Sequence, residues 1–382
     1  MAGNPDSNRV MNGTDTRSRA DGLLGSIIRG EHPAWPGDVD GDLEGLFLQR
    51  AQYHGVSTLI FGLLRGSAAW QALPAGLQDR LTQAVRHETA WDLQRNHRTE
   101  QVLQKLGKQG VRVLLIKGAA LARTLYASPG FRSRCDTDLF IQPGDIDKVQ
   151  QILKAAGFEV LTPIFKRHQF SAVSNISDDS SIRLDIHWRV LNAARYARAI
   201  GFDDAWEHAC ATPGLAGVRT LGPPHSLLLA CLHRWGNERH DRNRLIWLYD
   251  IHLLIGSMAP GQLEEFVRMA LRPGLRAACA DGLRSAREYL RTAMPGELAG
   301  LLEAVDPPVN FRRRYRESFL ALLLDDLRYL PDAKSRMGLV REVLLPSPQS
   351  LLTQYGKVNR LWLPWLYLRQ WVVGLSKKLS LQ

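Results

Sequence analysis

The 382-residue chain has few cysteines and no long apolar run. Its four cysteines (Cys135, Cys210, Cys231 and Cys279) form no Cys-x-x-Cys pair, which argues against a disulfide framework or a zinc knuckle. No segment approaches the roughly 18 uninterrupted apolar residues of a transmembrane helix. The first ten residues are polar, so we expect no signal peptide. We therefore expect a cytoplasmic protein, and a hydrophobic content of 45% excludes wholesale disorder.

The excess of positive charge is local. The chain has 49 Lys and Arg against 38 Asp and Glu, a net charge of +11. Residues 307–382 carry 13 basic and 5 acidic side chains, a net +8, and residues 110–190 carry 11 and 8, a net +3. The remainder is neutral. The charge is therefore not spread over a face of DNA size, which disfavours nucleic acid as a partner.

The apolar pattern places one strand-rich unit between helical regions. We predict a disordered lead at 1–20, an N-terminal helical region at 21–108, an α/β core at 109–190, a helical domain closing a cleft at 191–306, and a basic, Trp-rich helical segment at 307–382. Within the core, runs at 111–116, 136–141 and 182–188 predict strands, and 145–156 predicts a helix. Helical spacing resumes with 202–210.

Lys117 and Gly118 stand between the first of these strands and a helical stretch. Glycine lets the backbone approach a ligand closely, and a helix N-terminus offers free N–H groups to phosphate. An ordinary strand-to-helix turn has the same local sequence, so this signal is weak by itself.

Asp136 and Asp138 lie two residues apart at the start of a predicted strand, so both point to one face. Adjacent carboxylates repel unless a cation lies between them, and Mg²⁺ prefers such hard oxygen ligands. A solvated acidic strand edge is the alternative.

Asp185 lies in a strand on which Arg183, Asp185 and His187 share one face. An exposed face with a local ion pair would have the same pattern. Taken with the turn and the Asp pair, however, a strand carboxylate suggests phosphoryl transfer by two metal ions about 4 Å apart. Lys117, Arg132 and Arg134 are candidates to stabilise the negative charge.

Four blocks in this order resemble a known family. They are Ile116-Lys-Gly-Ala-Ala-Leu121, Tyr126, Arg132-Ser-Arg-Cys-Asp-Thr-Asp-Leu139 and Leu184-Asp-Ile-His-Trp188. They resemble the uncharacterised bacterial nucleotidyltransferase family of the polymerase-β-like nucleotidyltransferase superfamily, over roughly residues 100–255. The resemblance implies an α+β fold, with a mixed sheet and flanking helices embedded between N- and C-terminal helical regions.

The resemblance also implies an activity and a site. The activity is transfer of NMP from an NTP such as ATP, with two Mg²⁺ ions, or Mn²⁺ in their place. Asp136 and Asp138 would hold both metals and the triphosphate. Asp185 would complete the second metal site and orient or deprotonate the acceptor hydroxyl. The nucleotide-binding set would be Lys117, Gly118, Arg132, Arg134, His187, His233 and Arg244, with Gly118 against the phosphates.

The chain departs from the superfamily at the turn, where Lys117-Gly118 replaces the usual Gly-Ser. The serine that would touch a terminal phosphate is missing, and Lys117 could replace it as a point charge. The acceptor stays open: a small molecule, a glycan intermediate or a protein side chain. A non-catalytic nucleotide-binding or scaffold protein at the membrane surface is the alternative function.

Residues 355–378 contain three of the ten tryptophans between basic residues. Trp and basic side chains favour a membrane interface, and a helix docked on the protein or on a partner fits equally well. We therefore predict a peripheral membrane or protein contact through this segment.

Overall fold

A seven-stranded mixed sheet forms the centre of the fold, with the strand order β3-β4-β5-β2-β1-β7-β6. The computed structural model describes residues 5–37, 42–161, 168–177, 180–236, 242–303, 319–330, 332–345, 348, 351–352 and 359–369. The strands are β1 Val113–Ile116, β2 Thr137–Ile141, β3 Glu159–Leu161, β4 Gln169–Ser177, β5 Ser180–His187, β6 Cys210–Ala211 and β7 Arg219–Thr220. The central strand β2 pairs antiparallel with β1 and parallel with β5.

Helices surround this sheet. Before it along the chain lie α1 Pro5–Ile28, α2 Leu43–His54, α3 Ser57–Leu64, α4 Ala68–Gln71 and α5 Ala75–Lys108. Between the strands along the chain lie α6 Lys117–Thr124, α7 Ile146–Ala155, α8 Ala194–Ala197 and α9 Phe202–Glu207. After it come α10 Pro223–Gly236, α11 Leu245–Ser257, α12 Pro260–Ala270, α13 Arg276–Leu290, α14 Ala299–Leu302, α15 Phe319–Tyr329 and α16 Ala333–Leu344. The α+β fold with a mixed sheet and flanking helices is confirmed.

Each sheet face packs against its own set of helices. Leu139 and Ile141 of β2 belong to a core that includes Val102 and Leu106 of α5. The intervening Phe140 belongs to a core built largely from α10 to α13. Because side chains alternate along a strand, Asp138 shares the face of Phe140 and lies on the side of α10 and α11.

The N-terminal helices share a core with α11. Phe47 of α2 and Leu77 of α5 lie in the same buried cluster as Trp247 and Leu248. The predicted regions 21–108 and 191–306 therefore pack together. Both reach the face of the sheet that carries Asp138, which we call the polar face.

Two local predictions differ from the structure. Residues 5–20 belong to α1, where we predicted disorder. The last turns of this helix bury Leu24, Ile27 and Ile28 in the N-terminal core, and a helix extends easily from an anchored turn. The sheet also continues past residue 190, because β7 pairs parallel with β1, and Cys210 is in a strand where we predicted a helix.

Residues 359–369 are the described part of the predicted 355–378 contact segment; its remaining residues lie outside the described part of the chain. Leu366 is fully buried, whereas Trp362 and Trp365 are 46% and 45% exposed. Among the described residues, no helix is long and apolar enough to cross a membrane.

Candidate active site

Two carboxylates lie side by side on the polar face of the sheet. Asp138 of β2 and Asp185 of β5 occupy opposed positions in the parallel register, which places both side chains on one face of neighbouring strands about 4.8 Å apart. Their residues are only 6% and 8% exposed. The alternative of a solvated strand face therefore does not apply to these two positions.

Lys117 reaches this pair from the end of β1. It is the first residue of α6 and adopts a left-handed backbone conformation, with φ of 54°. Its Nζ donates to Asp138 Oδ1 at 2.6 Å, and Nε2 of His187 lies 2.7 Å from the same oxygen. Lys117 therefore balances the charge of Asp138.

The charges perturb each other strongly. Burial tends to raise the pKa of Asp138, but the charge of Lys117 and the hydrogen bond to His187 lower it far below its usual value. The charge of Asp138, together with burial and Asp185, raises the pKa of Asp136 from 3.8 to about 6. Burial and the Lys117 charge lower the pKa of His187. The site thus holds crowded carboxylates and a neutral imidazole.

Ser171 of β4 fixes the orientation of Asp185. Its hydroxyl donates to Asp185 Oδ1 at 2.5 Å, and the two residues are register partners on adjacent strands. A strand-to-strand hydrogen bond of this kind holds one carboxylate oxygen and leaves the other available to a ligand.

Arg132 is locked in a buried ion pair. Its Nη2 donates to Oδ2 of Asp250 at 2.8 Å, its Nε donates to Oδ1 at 2.9 Å, and Tyr126 donates to the same Oδ1 at 2.7 Å. The guanidinium also covers Gly118, where a Cβ atom would meet it at 3.5 Å. The structure thus gives Arg132 a positioning role between α6 and α11, and its predicted contact with nucleotide stays a prediction.

Arg134 and Arg95 share one acidic partner. Asp92 lies 2.9 Å from Arg134 and 3.1 Å from Arg95, and Asn96 accepts from Arg134 at 2.6 Å. Nε of Arg95, and Nε and Nη1 of Arg134, are buried and have no hydrogen-bond partner among the described residues. Burial lowers the pKa of Arg134 to about 10, so this guanidinium group is charged at neutral pH. Arg95 and Arg134 therefore have N–H groups that are available to bind an anion.

Helices α10 and α11 form the opposite wall. Burial, and then the charge of Lys117, lower the pKa of His233 to about 3, so this imidazole is neutral. Its ring meets Trp247 edge to face at 5.0 Å. Arg244 precedes α11 and donates to the carbonyl oxygen of Tyr53 at 2.9 Å.

These residues surround one cleft of about 1240 Å³. All ten predicted site residues line it: Lys117, Gly118, Arg132, Arg134, Asp136, Asp138, Asp185, His187, His233 and Arg244.

The sequence did not single out Arg95 or Ser171, which lie in segments whose helix and strand patterns look ordinary. Arg95 did leave a signal, since a charge interrupts the apolar stripe of α5. The pairing of Asp250 with Arg132 joins residues 118 positions apart and leaves no local pattern.

The arrangement places groups that can bind a polyanion beside carboxylates that can bind a cation. Asp136, Asp138 and Asp185 supply hard oxygen donors, while Lys117, the start of α6 and Arg134 supply positive charge. Such an arrangement of three carboxylates facing basic groups suits a phosphorylated ligand with divalent metal.

Comparison with known proteins identifies the family of the chain. The profile of a family described as uncharacterised nucleotidyltransferase matches residues 43–291, which is more than half of the chain. A nucleotidyltransferase-like antigenic protein from Paracoccidioides brasiliensis has a solved structure that is 18% identical, over 56% of this chain and 94% of that one, with a TM-score of 0.37. That likeness is too distant to support an inference about fold or function. No curated protein matches the chain significantly. On the strength of the profile match, the chain belongs to the uncharacterised nucleotidyltransferase family.

Proposed function

We propose that this protein is an Mg²⁺-dependent nucleotidyltransferase that moves NMP from an NTP to an acceptor hydroxyl or phosphate. The observation that carries the proposal is the crowding of Asp136, Asp138 and Asp185 at one end of a basic cleft, which raises the pKa of Asp136 to about 6. Buried carboxylates repel one another, and a divalent cation relieves that repulsion.

The donor set fits Mg²⁺. Asp136, Asp138 and Asp185 would hold the metal, since carboxylate oxygens are the ligands that Mg²⁺ and Mn²⁺ prefer. When bound, two such ions would neutralise phosphate charge and polarise the group under attack. His187 adds a nitrogen next to Asp138, and Lys117 would have to leave that carboxylate as the metal arrives.

The side chains of the chain have separate tasks in this proposal. Gly118 and the N–H groups at the start of α6 would receive the triphosphate, with Lys117 as a mobile point charge. The spare donors of Arg134 and Arg95 would bind the outer phosphates or an anionic acceptor. Asp185, oriented by Ser171, would accept the proton of the acceptor hydroxyl.

The cleft has room for a second substrate. Its 1240 Å³ exceeds the roughly 300–1000 Å³ of ordinary small-molecule sites. Gln49 and Gln52 of α2 and Gln83 of α5 line the end contributed by the N-terminal helices. We therefore propose that the acceptor enters from this side and is recognised by amide and basic groups.

A labelling screen tests the transfer. Purified full-length protein is incubated with each α-labelled NTP, Mg²⁺ and a cell extract, and the labelled product is isolated. We expect one class of acceptor to gain label with the wild type and none with Asp136→Ala/Asp138→Ala. Asp147→Ala, at an exposed position of α7, is the matched control and should label normally. Label that persists in the double variant would overturn the assignment of the two aspartates.

A second candidate is a non-catalytic nucleotide-binding or scaffold protein at the membrane surface. The ion pair of Asp138 with Lys117 favours it, because the lysine charge neutralises this carboxylate. Isothermal titration calorimetry separates the two functions. The enzyme requires NTP binding that depends on Mg²⁺ and is lost in Asp138→Ala, whereas metal-independent binding without any labelled product supports the scaffold.

A further inference from the structure

A second cluster of metal-binding side chains lies outside the cleft. Asp204 is in α9, His208 directly follows that helix, and His225 is in the first turn of α10. One donor atom from each residue lies within 4.8 Å of the other two. None of the three lines the cleft. We propose that these three residues form a site for a transition metal of the Zn²⁺ class, independent of the nucleotidyltransferase chemistry.

The donor atoms lie near the spacing that zinc requires, all within 4.8 Å of one another. Asp204 Oδ2 lies 3.1 Å from Nε2 of His225, and Asp204 Oδ1 lies 3.5 Å from Nδ1 of His208. Ligands bound to zinc at about 2.0–2.1 Å in a tetrahedron are roughly 3.3 Å apart. Nδ1 of His208 also lies 2.9 Å from the carbonyl oxygen of Asp204, so a metal would bind when the His208 ring gives up this contact and turns towards the Asp204 carboxylate.

The backbone holds this arrangement in place. His225 is 1% exposed and has little freedom to turn away. Gly222, just before α10, lies so close to His208 that a Cβ atom would come within 2.6 Å of the His208 carbonyl oxygen. The two imidazole rings stack with their centroids 5.5 Å apart. The site is thus built from two segments whose close approach depends on a glycine.

The donor types select the metal. Two imidazoles and one carboxylate suit Zn²⁺ or a neighbouring transition metal, whereas Mg²⁺ prefers oxygen alone. No described donor fixes Nδ1 of His225 as an acceptor, so the tautomer that frees Nε2 for a metal is available. The half-exposed side chains of Asp204 and His208 leave the fourth position open to water.

The positions of the ligands suggest what the metal does. It would fasten α9 to the first turn of α10, the helix that also carries His233 into the cleft. An ordinary hydrogen-bonded Asp–His–His triad is the competing explanation, since the same distances allow hydrogen bonds.

Metal titration of the full-length protein decides between them. Zn²⁺ binding is followed by calorimetry, and Co²⁺ binding by visible absorption, which is intense for tetrahedral sites. His208→Ala is the main variant, because His208 is exposed and its loss should not disturb folding. His97→Ala, an exposed histidine of α5, is the control. Any binding at the catalytic carboxylates is the same in all three proteins and cancels in the difference.

We expect wild type and His97→Ala to bind one Zn²⁺ that excess Mg²⁺ does not displace, with a tetrahedral Co²⁺ spectrum. His208→Ala should weaken this binding at least about tenfold, on the scale of ligand-shell changes at zinc sites. Circular dichroism checks that the variant is folded. Equal Zn²⁺ affinity in wild type and His208→Ala, or no difference in the Co²⁺ spectrum, would overturn the site and leave the hydrogen-bonded triad.

Discussion

Protons should compete with metal for Asp136. The charge of Asp138, with burial and Asp185, raises the pKa of Asp136 to about 6. At pH 8 the carboxyl is about 99% ionised, and at pH 5 about 90% is protonated. Because the metal needs the ionised form, the apparent Kd for divalent cation should be about elevenfold higher at pH 5 than at pH 8.

The assay is Mn²⁺ binding followed by electron paramagnetic resonance, at constant ionic strength, from pH 5 to pH 8. Nucleotide is left out, because phosphate groups with a pKa near 6 titrate in the same range. Asp136→Asn is the matched control. It should bind Mn²⁺ more weakly at every pH, and its Kd should change little over this interval. A wild-type Kd that is equal at pH 5 and pH 8 would refute the reasoning, as would a variant with the same slope.

The same pKa predicts an effect on folding without metal. The pKa of Asp136 is higher in the folded than in the unfolded protein, so its contribution to stability is complete below about pH 4 and is lost as the pH rises through about 6. A difference of about two units corresponds to roughly 3 kcal/mol. Asp136→Asn should therefore raise the free energy of unfolding at pH 8 by up to about 3 kcal/mol, and change it little at pH 4. Urea denaturation at the two pH values measures this, and an equal effect at both would contradict it.

Three further outcomes are expected. Asp250→Asn leaves the buried Arg132 without a charged partner, so it should lower the free energy of unfolding by about 3–5 kcal/mol. Tyr126→Phe removes only one hydrogen bond and should lower it by about 1 kcal/mol. Urea denaturation measures both, and equal small effects would contradict the buried ion pair. Ser171→Ala releases Asp185 and should lower the rate of NMP transfer severalfold while stability changes by about 1 kcal/mol; an unchanged rate would remove Ser171 from the positioning of Asp185. Trp362→Ala/Trp365→Ala should reduce flotation with anionic vesicles relative to Leu93→Ala, an exposed apolar position on α5; equal flotation of the two variants would favour a docked segment or a protein partner.

Sequence periodicity predicted the elements that are long enough to have a period. Strands β1, β2 and β5 and helix α7 lie within one or two residues of their predicted bounds. Strands β6 and β7 contain two residues each, too few for any alternation. Helix α1 has a weak apolar pattern near its N-terminus, and its burial depends on contacts with distant residues.

The three carboxylates of the site were predictable because they lie on local motifs. Asp136, Asp138 and Asp185 follow strand spacing, which fixes the face of each side chain. The residues that pair with them do not lie on local motifs. The bond between Lys117 and Asp138, and the ion pair between Arg132 and Asp250, depend on how β1, β2 and α11 are arranged in space. Thus the sequence predicted which groups lie together in the cleft, but it could not predict which of them neutralise one another.

The left-handed turn at Lys117 places a tethered positive charge beside a carboxylate that the proposed function assigns to metal. Its ammonium lies 2.6 Å from Oδ1 of Asp138, so in the proposed enzyme Asp138 would bind a divalent cation only after it releases Lys117. Such a release would not remove the lysine charge from the cleft, because Lys117 is the first residue of α6. The freed ammonium would stay within reach of the phosphates that accompany the metal. In the proposed enzyme, one side chain would therefore couple the binding of metal to the binding of an anion.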